Sequence, residues 1–404
     1  MTLTPETLGE RLRAARGNVG LTQEDAALKV GMQRTALVQI EAGNRAVSSL
    51  ELYQLAKLYG RDMSDLVAEE IVEEDPLVLF RSITDSALEL GTEINDFIEM
   101  LQEATKLQFY LNEQAVSLPS VCKYQDPLTY REAVRQGKEL AHNERLRLNL
   151  GASPIPDMAD LILSQSIWVG AVPLRDEVSG LFVKHRKYGL AILINQQHPR
   201  ARRRFSYAHE YAHALADRER KSTPTTRQNS TDLIEKRANA FASEFLMPEA
   251  GIVESLERLR KGGASREYSL LYDPVTDNAE PQEIRADVGA QRITVREVAI
   301  LANEFMVSYD ATVYRLSDLG IIRKSQVAEL IEQKVDGRIL IKTLKLYDGD
   351  GFEQDEQPYL GRQLALLAIE AFRREKITKG RFREVCRIAQ FEGNELLKVA
   401  EALM

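Results

Sequence analysis

Apolar residues recur at helical intervals over most of this chain and at strand intervals in one short stretch. Leu8, Leu12 and Ala15 stand at i, i+4 and i+7, a single helical stripe. Thr22 reads as the N-cap of a helix through Val30, with Glu24 and Asp25 in its first turn and Gly31 at its end. A third helix runs from Met32 to a stop at Gly43. Ser48 or Ser49 caps a fourth, which stops at Gly60. Residues 1–66 are expected to be an all-α head of short helices. Residues 67–135 open on an acidic stretch, 69–76, and carry one or two helices over 86–114, with Pro119 and Pro127 breaking the pattern. They read as a helical connector, either dimerising or packed on its own chain.

The pattern then changes. A helix over 130–151 and another within 153–166 precede three β-rich runs, IWVGAV, VSGLFV and LAILIN. A helix over 200–220 follows, then a polar loop, 221–231. The next helix presents Ile234, Ala238, Phe241, Ala242 and Phe245 on one face and is closed by Pro248. Beyond it the chain is mostly helical. Residues 262–289 read as an inserted or mobile loop, 293–322 as two short helices, 349–358 as an acidic loop, and 362–404 as three helices.

Composition narrows the class. A chain of 404 residues holds two or three domains. Its 44% hydrophobic and 28% charged residues are those of an ordinary soluble protein. No apolar run reaches the ~18 residues that span a bilayer, and the first residues lack a signal-peptide core. No membrane partner is expected. Cys122 and Cys386 stand far apart without a CxxC context and read as buried or free thiols. Together these features point to a reducing cytoplasm. The net charge of −8 argues against a chain coated in nucleic acid, but leaves room for a small DNA-reading module.

The helix over 200–220 carries the most specific chemistry. His209-Glu210-Tyr211-Ala212-His213 holds two of the five histidines. Positions i and i+4 share a helical face, so both imidazoles can grip one Zn2+, and Glu210 can take a proton from the activated water. Phe205, Tyr207 and Ala208 before the motif, and Ala212 and Leu215 after it, are apolar or small, so the helix is expected to be buried. Buried histidines and a glutamate on one face need a partner. Catalytic zinc sites take three protein ligands. Glu235, on the helix after the polar loop, is the best candidate for the third. Glu244 is the runner-up, and Glu219 follows His213 too closely to fold back. Asn239 shares a face with Glu235 and can orient a histidine through its second ring nitrogen. An oxyanion donor is also needed. His142, His185, His198 and Tyr207 are candidates, and the choice among them stays open.

RRRFSYAHEYAHAL followed by EKRANAFASEFLMPEA resembles the ImmA/IrrE family of metallopeptidases, and the resemblance extends over roughly residues 136–320. It implies an α+β zincin-like metallopeptidase core with His209, His213 and Glu235 as metal ligands and Glu210 as catalytic base. It further implies a zinc peptidase that cleaves a protein, such as a repressor, to relieve repression of stress or mobile-element genes. LTQEDAALKVGMQRTALVQIEAG resembles the Xre/Cro-type helix-turn-helix. By that resemblance Gln23, Arg34, Thr35 and Gln39 face double-stranded operator DNA, Gln23 near the backbone and Arg34 and Gln39 towards base edges, while Arg45 meets a phosphate. Such modules bind as homodimers on paired half-sites. The chain is thus expected to be multidomain and mainly α. It has a helix-turn-helix domain at 1–66, a connector at 67–135, a metallopeptidase domain at 136–260 and a helical C-terminal region at 261–404. Two functions follow. One is a DNA-binding regulator fused to a zinc endopeptidase. The other is a non-cleaving repressor or antitoxin-like protein that uses the zincin fold as a sensor or partner-binding domain.

Overall fold

A computed structural model describes residues 4–61, 63–67, 92–111, 122, 124–185, 188–218, 225–226, 231–261, 266–273, 278–285, 291–347, 349 and 359–403. The head comprises α1 (Pro5–Asn18), α2 (Gln23–Lys29), α3 (Arg34–Glu41), α4 (Ser49–Tyr59) and α5 (Met63–Val67). Its starts and stops follow the expected chemistry. Thr22 caps α2 by accepting the Asp25 amide, and Ser48 forms a capping box with Glu51 at α4. Gly60 ends α4 in the left-handed region, at φ 66°. Leu12, Ala26, Leu37, Ile40 and Leu55 close a small core of its own.

The central unit is a sheet between two helical layers. It follows α6 (Thr92–Tyr110), α7 (Tyr130–Arg147) and α8 (Met158–Ser164) and consists of β1 (Ile167–Val172), β2 (Val178–His185), β3 (Gly189–Asn195) and a later two-residue β4 (Thr225–Thr226). The strand order is β1-β3-β2-β4. β1 and β3 are parallel, while β2 runs antiparallel to β3 and β4. Alternation sends successive residues to opposite faces. Ile167, Val169, Leu190, Ile192 and Ile194 join one apolar cluster. Trp168, Leu181, Val183, Ala191 and Leu193 join another.

The first face is covered by α7, α8, α9 (Arg200–Ala216), α10 (Leu233–Leu246) and α11 (Glu249–Arg258). After a hairpin of β5 (Arg266–Asp273) and β6 (Asn278–Arg285), the chain adds α12 (Val295–Phe305), α13 (Tyr309–Asp318), α14 (Lys324–Glu332) and α15 (Lys334–Thr343) to that layer. The second face is covered by α6 with α16 (Tyr359–Arg373), α17 (Lys379–Ile388) and α18 (Gly393–Ala402). The fold is therefore mainly α around a small sheet, with an all-α head. Among the described residues no helix is long and apolar enough to cross a membrane.

Two expectations need amending, and a third is decided between its alternatives. Residues 266–285, read as a loop, form an antiparallel hairpin in continuous register from Arg266↔Arg285 to Asp273↔Asn278. Its alternating Tyr268, Leu270 and Tyr272 are the signal that the surrounding polar residues hid. Of the two readings of the connector helix, the structure shows the one packed on its own chain: Phe97, Leu101, Ala104 and Leu107 bury against the sheet's second face and the C-terminal helices. α9 stops at Ala216 rather than near 220, with Asp217 as its C-cap. The acidic stretches 69–76 and 350–358 lie outside the described residues.

Among the described residues the head meets the C-terminal layer at a polar junction. Thr378 Oγ1 donates to the Gly60 carbonyl, Arg61 pairs with Glu384, and Gly60 lies against Gly380. A Cβ on Gly60 would come within 3.3 Å of the Gly380 backbone. Two glycines let the chains approach that closely.

Candidate metal centre

α9 brings His209 and His213 onto one face, and the first turn of α10 sets Glu235 opposite them. His209 Nε2 lies 3.1 Å from Glu235 Oε2 and 3.1 Å from His213 Nε2. His213 Nε2 lies 3.5 Å from Glu235 Oε1. Ligands of a tetrahedral zinc at about 2.05 Å stand about 3.3 Å apart. The three separations bracket that value, so the residues present fit such a cation. Among the described residues they are the one His/Cys/Asp/Glu group of this kind.

The other ring nitrogens are held from behind. His209 Nδ1 lies 3.0 Å from Asn239 Oδ1, and His213 Nδ1 lies 3.0 Å from Asp217 Oδ2. Each imidazole therefore carries its proton on Nδ1 when it turns Nε2 to a cation. Asp217 is itself steered by Arg237, whose Nη2 donates to Asp217 Oδ1 at 2.5 Å. Arg237 is 2% exposed and also donates to Gln136 Oε1 at 3.2 Å. Asp217 and Arg237 escaped the sequence reading. The signal was local for the first, an aspartate four residues after His213, and absent for the second.

Electrostatics follow from this geometry. Burial opposes the charge on Glu235, yet hydrogen bonds from His209 and His213 hold its carboxyl down at about 2. Burial likewise opposes the charge on His213, but Asp217 and Glu235 outweigh it and raise the imidazole to about 10. Burial would raise Asp217, and His213 with Arg237 reverses that and lowers it.

Glu210 sits on the same helix, 1% exposed, beside β2. A Cβ on Gly180 would meet Glu210 Oε1 and the Leu193 carbonyl, each at 3.0 Å. A side chain at 180 would press on the Glu210 carboxylate, which would have to give by a few tenths of an ångström. Tyr211, on the opposite side of α9, donates to Glu144, which also binds Arg147 at 2.6 Å, and so anchors the helix to α7.

The remaining candidates fall elsewhere. Glu244 pairs with Arg315 at 2.6 Å and accepts the Glu249 amide. Glu219 lies outside the described residues. His142 is exposed on α7. His198 is buried beside Asn195 and the Asp176 carbonyl, and Tyr207 lines a cavity on the reverse face of α9. His185 ends β2, and its side chain is outside the described set.

In the head, Arg34, Thr35 and Gln39 are exposed on α3, whereas Leu37, Ile40 and Glu41 point inward. Gln23 turns its amide to the buried Glu41, at 2.8 Å, where Arg16 also binds at 2.7 Å. Arg45 is exposed but paired with Glu51 at 2.8 Å. Arg34, Thr35 and Gln39 thus form one solvent-facing strip, while Gln23 and Arg45 already have partners.

Comparison with known proteins agrees with both halves. Residues 164–272 match the IrrE N-terminal-like domain family, Peptidase_M78, and residues 12–66 match a helix-turn-helix family. The chain joins an Xre-like helix-turn-helix to an IrrE-like domain, a pairing that fits a DNA-binding regulator. No curated protein matches it. Two solved structures are similar at low scores. Bacillus thuringiensis PlcR in complex with the peptide PapR7 and DNA is 12% identical over 99% of each chain, with a TM-score of 0.17. The apo form of the competence regulator ComR from Streptococcus vestibularis is 11% identical over 83% of this chain and 93% of its own, with a TM-score of 0.16. Scores that low tie no property of either protein to this chain.

Proposed function

We propose that this protein is a DNA-binding regulator whose buried centre hydrolyses a peptide bond in a protein partner. The convergence of His209 Nε2, His213 Nε2 and the Glu235 carboxylate at zinc-like separations is the observation that carries the reading. Those three residues would hold Zn2+, with Asn239 and Asp217 orienting the imidazoles. When bound, Zn2+ supplies a Lewis acid that polarises the scissile carbonyl and makes a water acidic near neutral pH. The Glu210 carboxylate accepts that water's proton and returns it to the leaving amine nitrogen. The α3 strip of Arg34, Thr35 and Gln39 would read the operator as one half of a homodimer.

The test compares wild type with Glu210→Gln on a proteome-derived peptide library, with new termini read by mass spectrometry and zinc by elemental analysis. Wild type is expected to hold one zinc per chain and to cut; Glu210→Gln is expected to hold the zinc and not cut. Equal cutting by both removes Glu210 as the base. No cutting at full zinc occupancy leaves a sensing or binding module in place of a peptidase.

A further inference from the structure

The stretch between the two ligand helices carries a feature that the metal centre does not use. β4, Thr225–Thr226, lies between α9 and α10 in the chain and pairs antiparallel with β2. Its register sets Thr226 opposite Val178 and Thr225 opposite Gly180, with a bulge between the two β2 residues. The inner edge of β2 is filled by β3, from Gly180↔Ile194 to His185↔Gly189. Among the described residues β4 is therefore the strand at the outer edge of β2.

Gly180 touches both the base and this strand. Glu210 Oε1 lies 3.0 Å from where a Cβ on Gly180 would stand, and the backbone of the same glycine faces Thr225. A general base works within hydrogen-bond reach of the water it deprotonates, and that water attacks the scissile carbonyl. A peptide bond to be cut must therefore come close to Gly180. There α9 packs against the sheet's first face, and β3 fills the inner edge. The outer edge is left, and an extended peptide joins such an edge through backbone hydrogen bonds. β4 already holds that place.

The hold of β4 on this edge is slight. A pairing of two residues rests on few ladder hydrogen bonds. Residues 219–231 include none of the hydrophobic residue types, so the stretch brings no apolar side chain to bury. Its ends are fixed independently of β4. Asp217, just after α9, binds Arg237 of α10 at 2.5 Å and lies 3.0 Å from His213 Nδ1. β4 can therefore leave with His209, His213 and Glu235 in place. We propose that β4 is an internal competitor of the substrate: it occupies the β2 edge at Gly180, and an extended segment of the protein partner must displace it before a peptide bond reaches Glu210. The proposal rests on the peptidase reading of the same centre.

Two hydroxamates, titrated calorimetrically into the zinc-loaded full-length protein, test it. Acetohydroxamate reaches only the metal, whereas acetyl-trialanyl hydroxamate adds an extended backbone to lie along β2. In Thr225→Pro/Thr226→Pro the edge loses its occupant, because proline donates no backbone hydrogen bond. The peptidyl probe is expected to bind this variant at least about fivefold tighter than wild type, the weight of one backbone hydrogen bond, with acetohydroxamate binding both alike. Thr225→Gly/Thr226→Gly, a milder change that loosens the strand by backbone entropy, is expected to act in the same direction. Equal affinity of the peptidyl probe for wild type and both variants overturns the proposal. So does an equal gain for acetohydroxamate, which would mean a loosened metal site. Cutting of the peptide library separates the two readings. Tightening without any cutting keeps the edge competition and removes the peptidase, and cutting by wild type without tightening does the reverse.

Discussion

Replacing Asp217 by Asn removes one negative charge and leaves the shape of the side chain almost unchanged. His213 and Arg237 are among the partners that feel the loss. His213 Nδ1, 3.0 Å away, exchanges a carboxylate for a neutral amide. Arg237, 2% exposed, loses the carboxylate it binds at 2.5 Å and keeps only Gln136 and the ring of Tyr124. Loss of a group that orients a metal-bound histidine weakens metal binding about 10–100-fold, or about 1.4–2.8 kcal/mol. Leaving a buried arginine uncompensated costs the metal-free fold about 3–5 kcal/mol. Asn239→Ala removes only a neutral contact to His209 Nδ1, worth about 1 kcal/mol. The expected order of zinc affinity is therefore wild type, then Asn239→Ala, then Asp217→Asn. Competition against a chromophoric chelator measures the affinities, and urea unfolding of the metal-free proteins measures the stabilities. Wild-type zinc affinity in Asp217→Asn, or an Asn239→Ala variant weaker than Asp217→Asn, would refute the account of how the histidines are held.

Three other outcomes follow. Gly180→Ala should keep its zinc yet lose most cleavage, since the new Cβ displaces Glu210; overpacking should cost about 1–3 kcal/mol of stability, and full activity would contradict the placement. With His213 raised to about 10, zinc binding at neutral pH should release about one proton, counted by calorimetry in buffers of different ionisation enthalpy. The same raised value stabilises the metal-free fold fully below the unfolded value near 6.5 and is lost as pH climbs through about 10, so its melting temperature should fall across that window and not in His213→Ala. Arg34→Ala should weaken operator binding by about 1–3 kcal/mol if Arg34 contacts a base, and equal loss on unrelated DNA would assign it to a phosphate.

Local features of this chain were legible because their chemistry is local. Thr22, Ser48 and Gly60 announce helix ends within a few residues of themselves. His209, Glu210 and His213 announce a shared face by spacing alone, and Glu235 with Asn239 by the same rule one helix later. What stayed hidden depends on distant partners. The apolar face of Phe97, Leu101, Ala104 and Leu107 is plain in the sequence, but nothing local says that it closes over Trp168 and Leu193 together with the C-terminal helices. Arg237 looks like a surface cation until α10 packs on α7 and encloses it. The hairpin at 266–285 was obscured because its alternating residues lie among turn formers that read equally well as loop.

The junction between Gly60, Arg61, Thr378 and Glu384 has a mechanical consequence. The head has an apolar core separate from the two that flank the sheet. The contacts described at this junction include a hydrogen bond, an ion pair and a glycine-glycine touch, each worth about 1 kcal/mol. Contacts of that size are within reach of modest binding energies, since a differential affinity of a few kcal/mol suffices to swing a two-state balance. The helix-turn-helix head is thus held to α17 at this point by a clasp rather than a weld, and whatever grips α17 acts on that clasp.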